Sequence, residues 1–475
     1  MTSTACNALR KEPTLRFGVS LVASLSLCAC AQWSPATPAL PEVAVPEAWN
    51  RAQTSSASTT GPLEIWWSHF DDPMIGQLVG QALNYNTSVQ SAQAALQRAR
   101  AQRDVTAAGL LPRMDGVASA QRSDSGNTPG GSAFNARFDA SWEPDVFGAN
   151  HSALEASEAD AQASAASLGD VQVSLAAEVA VNYIQLRGTQ ARLSIARDNL
   201  ASQFETQQIT EWRVQAGLAT SLDSEQARTA TAQTRAQIPL FEASVDKSLH
   251  ALAVLTGSAP GVLDTALAGE GAVPQAADEL ALSLPADTLR QRPDVRAAEQ
   301  RVRAAAARVV QADALRYPSF QLSGSLGVRA LTLGSLSAGG AWVGSLLAGV
   351  SLPLFDGGAA QAQVRAEQAA LQQAYAAYRA AVLTALQDVE DALVALRGDR
   401  ERLVHLRTAA EAAGNAALLA RHRYASGLID FQVVLETQRT LRTTQDGVAA
   451  TSADLGADHV RLYKALGGGW THAGS

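Results

Sequence analysis

Long apolar runs are missing from this 475-residue chain. No stretch reaches the roughly 18 consecutive apolar residues of a membrane-spanning helix, so a β-barrel or a lipid anchor is left as the route into a bilayer. Cysteine is almost absent: Cys6, Cys28 and Cys30 all lie near the N-terminus, and the body can build neither a disulfide framework nor a Cys-based zinc site. The seven histidines form no H-x-H or H-x-x-x-H pair, so no metal site is expected. Positive charge is scarce relative to negative, with 37 Lys and Arg against 45 Asp and Glu, and a net charge of −8 argues against nucleic acid as a partner. There is no Walker loop, no G-x-S-x-G in a strand–turn–helix context and no clustering of Ser, His and Asp, so neither a catalytic site nor a cofactor is expected. What the chain has in quantity is apolar residues, 47% against 17% charged, enough for a large buried or self-associating surface.

The N-terminus reads as an address. Arg10, Lys11 and Arg16 precede an apolar stretch from Phe17 to Leu27, the layout of a secretory signal peptide. It ends in L-C-A-C, which resembles a bacterial lipobox with Leu27 at −3, Ala29 at −1 and Cys30 as the acylated residue; Cys28 is the weaker candidate. Ala31 follows, where lipoproteins kept at the inner membrane have Asp, so the resemblance implies sorting to the outer membrane. Residues 30–65 hold Pro35, Pro38, Pro41 and Pro46, an extended tether that cannot be helix.

Proline is also absent between Pro144 and Pro239 and again after Pro353. Both stretches are rich in Ala, Gln, Arg, Glu and Leu, and predict helices over about 150–215 and 359–425, each roughly 100 Å long at 1.5 Å per residue. In the second, Leu371, Tyr378, Ala385 and Ala392 recur every seven residues, with Tyr375, Val382, Val389 and Leu396 offset by four, a coiled-coil seam. Strand periodicity appears elsewhere. Phe134, Ala136, Phe138, Ala140 and Trp142 alternate with Asn135, Arg137, Asp139, Ser141 and Glu143. Phe320, Leu322, Gly324, Leu326 and Val328 alternate with Gln321, Ser323, Ser325, Gly327 and Arg329. Weaker strands are expected near Met114–Gln121 and Trp342–Leu352. Strands of this kind suit a barrel between lipid and a watery lumen, although a sandwich strand facing solvent alternates in the same way.

The chain repeats at an offset near 206–210 residues. Val89, Ala92 and Pro112 return as Val295, Ala298 and Pro318; Leu186–Gly188 as Leu396–Gly398; Gly217–Leu218 as Gly427–Leu428; and Gly257 as Gly467. Each half reads helix, two strands, long helix, turn, helix. Four strands cannot close a barrel, and lipid does not tolerate an open edge, so several chains must share one; three copies give twelve strands.

The motifs W-W-S-H-F-D-D-P (66–73), F-D-A-S-W-E-P-D-V-F-G (138–148), Y-I-Q-L-R-G (183–188), R-P-D-V-R-A-A-E (292–299), P-L-F-D-G-G (353–358) and A-L-G-G-G-W (465–470) occur in order. Together with the repeat they resemble the TolC-like outer-membrane factor family of tripartite efflux and secretion systems, in its NodT-type lipoprotein branch. Pro144 departs from the family, which has an apolar or small residue there. The resemblance implies a mixed α+β membrane protein. It would be a homotrimer sharing a 12-strand outer-membrane β-barrel that continues into a long periplasmic α-helical, coiled-coil barrel. The chain then divides into a signal peptide (1–29), the acylated tether (30–65), a first repeat (66–258), a linker (259–285), a second repeat (286–468) and a tail (469–475). The implied partners are outer-membrane lipid, a periplasmic membrane-fusion adaptor and an inner-membrane pump of the resistance-nodulation-division type. The implied function is export of small molecules such as drugs or metals. A duct for type I protein secretion is the alternative, and a structural coiled-coil lipoprotein a more distant one.

By the same resemblance, the turns at Gly217–Leu218 and Gly427–Leu428 are adaptor-docking tips, where a glycine suits a left-handed helix C-cap. A periplasmic gate would link Tyr424, three residues before the second tip glycine, to Asp223, six after the first. Glu436, nine after the second, would form a carboxylate ring in a trimer. Val433, three residues earlier, is not acidic, and Asp430 stands nearby.

Overall fold

The structure is a computed structural model that describes residues 44–49, 63–70, 72–126, 128–269, 271–276, 288–289, 291–336 and 341–470. The signal peptide, the acylation site Cys30 and most of the tether lie outside the described residues, as do residues 270 and 277–285 of the linker and 471–475 of the tail.

Two halves of matching design follow one another. The first holds α1 (Pro73–Tyr85), α2 (Thr87–Ala108), β1 (Arg113–Ser125), β2 (Thr128–Trp142), α3 (Ala149–Gln215) and α4 (Ser221–Leu255). The second holds α5 (Pro293–Ala314), β3 (Ser319–Ala330), β4 (Ala341–Ser351), α6 (Ala359–Ala425) and α7 (Phe431–Ala465). Helices α2 and α5 have 22 residues each, α3 and α6 have 67, and α4 and α7 have 35. At 1.5 Å per residue α3 and α6 each run about 100 Å.

The chain forms two compact units. The unit built from 101–159 and 302–373 carries the strands, a single antiparallel sheet in the order β1-β2-β3-β4. Arg113 pairs with Ser141, Trp142 with Leu322, and Ser319 with Ser351. This register puts Phe138, Ala140, Leu326 and Gly324 on one face, and Asp139, Arg137, Ser325 and Gly327 on the other. β2 ends at Trp142, two residues before Pro144, whose missing N–H could not serve the ladder. Phe147 then stacks on Tyr317 at 5.1 Å between ring centroids. Every residue of β4 is exposed in the single chain.

The unit built from 41–100, 160–301 and 374–475 is helical. Its main core gathers Trp66, Ile75, Leu78, Tyr183, Ile184 and Tyr463. Trp66 stacks on Tyr463 at 5.4 Å, and burial pushes the Tyr463 hydroxyl up to about 12, so it stays protonated. The heptad positions Val389, Ala392 and Leu396 of α6 pack with Leu455 and Leu462 of α7. Small residues set the closeness of α3 and α7: a Cβ on Gly188 would stand 2.5 Å from that of Ala453. Buried polar side chains are pinned. Arg187 donates to Tyr183 Oη at 3.0 Å and Gln190 Oε1 at 2.9 Å, and Tyr183 donates to Asp72 at 2.8 Å. Arg292 ties Asp294 and Asp388 to the carbonyl of Ala465.

One feature departs from the proline reading. α4 continues through Pro239, although a proline within a helix costs about 3 kcal/mol. Both Pro239 and Arg235, whose carbonyl the ring displaces, are exposed, so the freed carbonyl is open to solvent and flanking helix carries the loss.

Candidate functional site: helix tips and sheet edges

The turn after α3 is built by backbone geometry. Gly217 has φ +71°, Leu218 N–H donates to Arg213 O at 2.7 Å, and Gly217 N–H donates to Val214 O at 3.0 Å. This is a Schellman cap, in which the residue after the helix must adopt a left-handed conformation. The turn after α6 repeats it: Gly427 has φ +75°, Leu428 N–H meets Arg423 O, and Gly427 N–H meets Tyr424 O, both at 2.9 Å. Each turn leaves its leucine outward, Leu218 at 68% and Leu428 at 73% exposure. Two apolar side chains this exposed, at two copies of one turn, make a surface with which a partner helix could pair.

The structure does not join Asp223 to Tyr424. Asp223 is the third residue of α4 and forms a capping box with Thr220: its carboxylate accepts from Thr220 N–H at 2.9 Å and from the Thr220 hydroxyl at 2.8 Å, and its own N–H donates to Thr220 Oγ1. The local cap therefore occupies the carboxylate. Tyr424 is buried among Ala227, Ala420, Phe431 and Val434, with its hydroxyl unpartnered. Asp430 is the N-cap residue of α7 without a side-chain capping bond. Glu436 is exposed and lies 3.7 Å from Arg439. Burial of such an exposed pair is slight, and its worth is small.

The residue that links the two tips is one the sequence reading passed over. Arg213 reaches from the last turn of α3 to the last turn of α6. Its guanidinium lies 4.6 Å from the centroid of the Tyr424 ring and donates to Tyr424 O and, at 3.4 Å, to Ala425 O. A cation at a helix C-terminus meets carbonyls left without partners and the negative end of the helix dipole. The available signal was position: Arg213 stands four residues before Gly217, as Arg423 does before Gly427.

The second element is the sheet. Among the described residues β1 pairs only with β2, and β4 only with β3, so both outer edges carry free N–H and C=O groups. β4 also exposes Trp342 at 77% and Leu346 at 79%. A long exposed edge with apolar side chains is a template for strand addition. No described helix is long and apolar enough to cross a membrane.

Residues 78–258 and 284–468 match the family model described as outer membrane efflux protein. The chain belongs to that family. It is 32% identical over 431 residues to nodulation protein T of Rhizobium leguminosarum bv. viciae, covering 90% of this chain and 89% of that protein. It is 32% identical over 460 residues to the pyoverdine export outer membrane protein OpmQ of Pseudomonas putida, covering 94% and 96%. The solved outer-membrane channel OprN superposes with a TM-score of 0.84 at 35% identity, over 91% of this chain and 99% of that one. The two segments matched by the outer membrane efflux protein model coincide with the two halves of the fold. This chain is therefore an efflux channel protein of the outer membrane, from a family of channels and not of enzymes.

Proposed function

We propose that three copies of this chain close one twelve-strand barrel and that their long helices form a second, helical tube. The assembly is the outer-membrane duct of a tripartite efflux system. The observation that carries this reading is the open sheet: four strands with two free edges cannot stand in lipid, where every backbone group needs a partner. A closed ring of three chains gives an even strand count within the range of outer-membrane barrels. The duct has no energy source of its own, so an inner-membrane pump of the resistance-nodulation-division type supplies it. A periplasmic adaptor joins the two by docking at Gly217–Leu218 and Gly427–Leu428. Support for the small-molecule cargo comes from relatives such as the pyoverdine exporter. Cys30 carries the acyl anchor.

At the tips, Arg213 and Tyr424 hold the two hairpins together, and this hold is the resting gate. Asp223, Asp430 and Glu436 add negative charge nearby, which favours cations in a narrow pore.

Reconstitution in planar lipid bilayers tests the reading. The expected result is a small, cation-preferring conductance from trimeric protein. Inserted trimer without conductance would overturn the duct. Chain that inserts and conducts as a monomer would overturn the shared barrel.

A further inference from the structure

The polar face of the sheet carries an imbalance of charge. Among the described residues of the four strands, this face holds three arginines, Arg113, Arg137 and Arg329, and two carboxylates, Asp115 and Asp139. Two of the arginines are paired: Arg113 meets Asp115 and Arg137 meets Asp139, each at 2.9 Å. Arg329 is the one left over. It is exposed, it has no ion-pair partner among the described residues, and its cross-strand neighbours Asn135 and Ala341 are uncharged.

The surroundings of Arg329 also leave space. Ala341 opposite it and Gly327 two residues before it, on the same face, offer almost no side chain. Arg137 is its diagonal neighbour across the β2–β3 ladder, at the separation of about 7–8 Å over which two long side chains can reach one ligand. Gly327 stands directly opposite Arg137, and a Cβ there would collide with that of Arg137. Any side chain at 327 would push Arg137 aside, so the glycine keeps this corner of the face both open and basic.

We propose that Arg329, assisted by Arg137, forms an anion-binding ring in the lumen, one site per copy, whose ligands are carboxylate, phosphate or sulfonate groups. The proposal rests on the shared barrel, in which the apolar face meets lipid and the polar face lines the pore. It goes beyond that reading by naming the charge class of cargo that the sheet favours. A guanidinium holds such groups through two parallel N–H···O bonds, a fit that an ammonium lacks. Each copy contributes one arginine more than it has carboxylates on this face, and that excess acts over a Debye length of about 8–10 Å at ordinary ionic strength. Asp223, Asp430 and Glu436 belong to the helical unit, so the charge preference of the sheet can be tested apart from theirs.

Block by a polyanion in planar lipid bilayers tests the ring. The probe is inositol hexakisphosphate, added to each side of the membrane in turn. With the unsubstituted trimer it should reduce the conductance from at least one side. Arg329→Gln should weaken the block by about tenfold, because one exposed charge contact of modest worth is lost in each of three copies. Asn135→Asp, which sets a carboxylate directly opposite Arg329 and leaves the arginine in place, should weaken it as well. Arg122→Gln removes the same charge from the other face of the sheet and should leave the block unchanged. Each variant is first shown to be trimeric by native mass spectrometry and to conduct without the probe. Conductance with no block, or a block that Arg329→Gln and Arg122→Gln change equally, would overturn the ring and leave the duct standing. Inserted trimer that never conducts would overturn the duct itself.

Discussion

Replacing Arg213 by methionine removes the tie between the two tips while keeping a stem of similar length. Two kinds of interaction are lost. A guanidinium over an aromatic ring contributes about 0.5 kcal/mol where exposed and about 2 where desolvated. A charged donor on a carbonyl contributes about 1.5–3 kcal/mol. Arg213 is half-buried, so the lower ends apply, for a loss of about 2 kcal/mol per copy. No large desolvation penalty is added, because Tyr424 O still accepts from Gly427 N–H at 2.9 Å. At 1.4 kcal/mol per tenfold, the open arrangement of each tip gains about 30-fold in population relative to the closed one. Two assays read this: single-channel conductance, which should rise, and hydrogen exchange at the amides of Gly427 and Leu428, which should quicken. Arg213→Lys should fall between, since a lysine keeps the charge but not the planar group that lies over the ring. Unchanged conductance together with unchanged exchange would refute the tie, because the loss of a contact between the hairpins must loosen at least one of them.

Gly188→Val should destabilise the helical unit by about 1–3 kcal/mol, since its Cβ would lie 2.5 Å from that of Ala453 and α3 would have to move off α7; the melting temperature of the detergent-solubilised protein checks this. Asp458 gives a pH dependence. Burial pushes its carboxyl above the ordinary value, with Arg461 at 2.5 Å pulling the other way and Asp399 and Asp454 adding to the rise. A raised folded value means that the folded state binds the proton more tightly, so the stabilising contribution is full below the unfolded value of about 3.9 and is lost as pH rises through the folded value. Asp458→Asn, which keeps an acceptor for Arg461, should flatten the dependence of melting temperature on pH from about 4 upward; a variant with the same slope as the parent would remove Asp458 as its source.

Periodicity and punctuation made much of this protein readable. Proline-free stretches of strong helix formers carry α3 and α6, whose ends coincide with Gly217 and Gly427 because a left-handed residue is needed there and glycine adopts it without strain. Alternation marked the strands, since a strand exposes successive side chains to opposite faces. The repeat followed from pairs of motifs at one spacing, and the family resemblance from six motifs in order. These are all properties of nearest neighbours along the chain or of a pattern repeated along it.

The tertiary structure decided what depends on competition between partners far apart in sequence. Asp223 could bond a distant tyrosine or its own helix start, and the nearby Thr220 holds it because a local cap costs little chain entropy. Arg213 meets Tyr424, 211 residues away, only because two long helices end side by side. Pro239 stays in a helix because the turns around it outweigh one lost bond. The sheet order β1-β2-β3-β4, and with it the two free edges, came from packing across both halves. Local rules set what each segment becomes, whereas the choice among distant partners is made by the total energy of the fold.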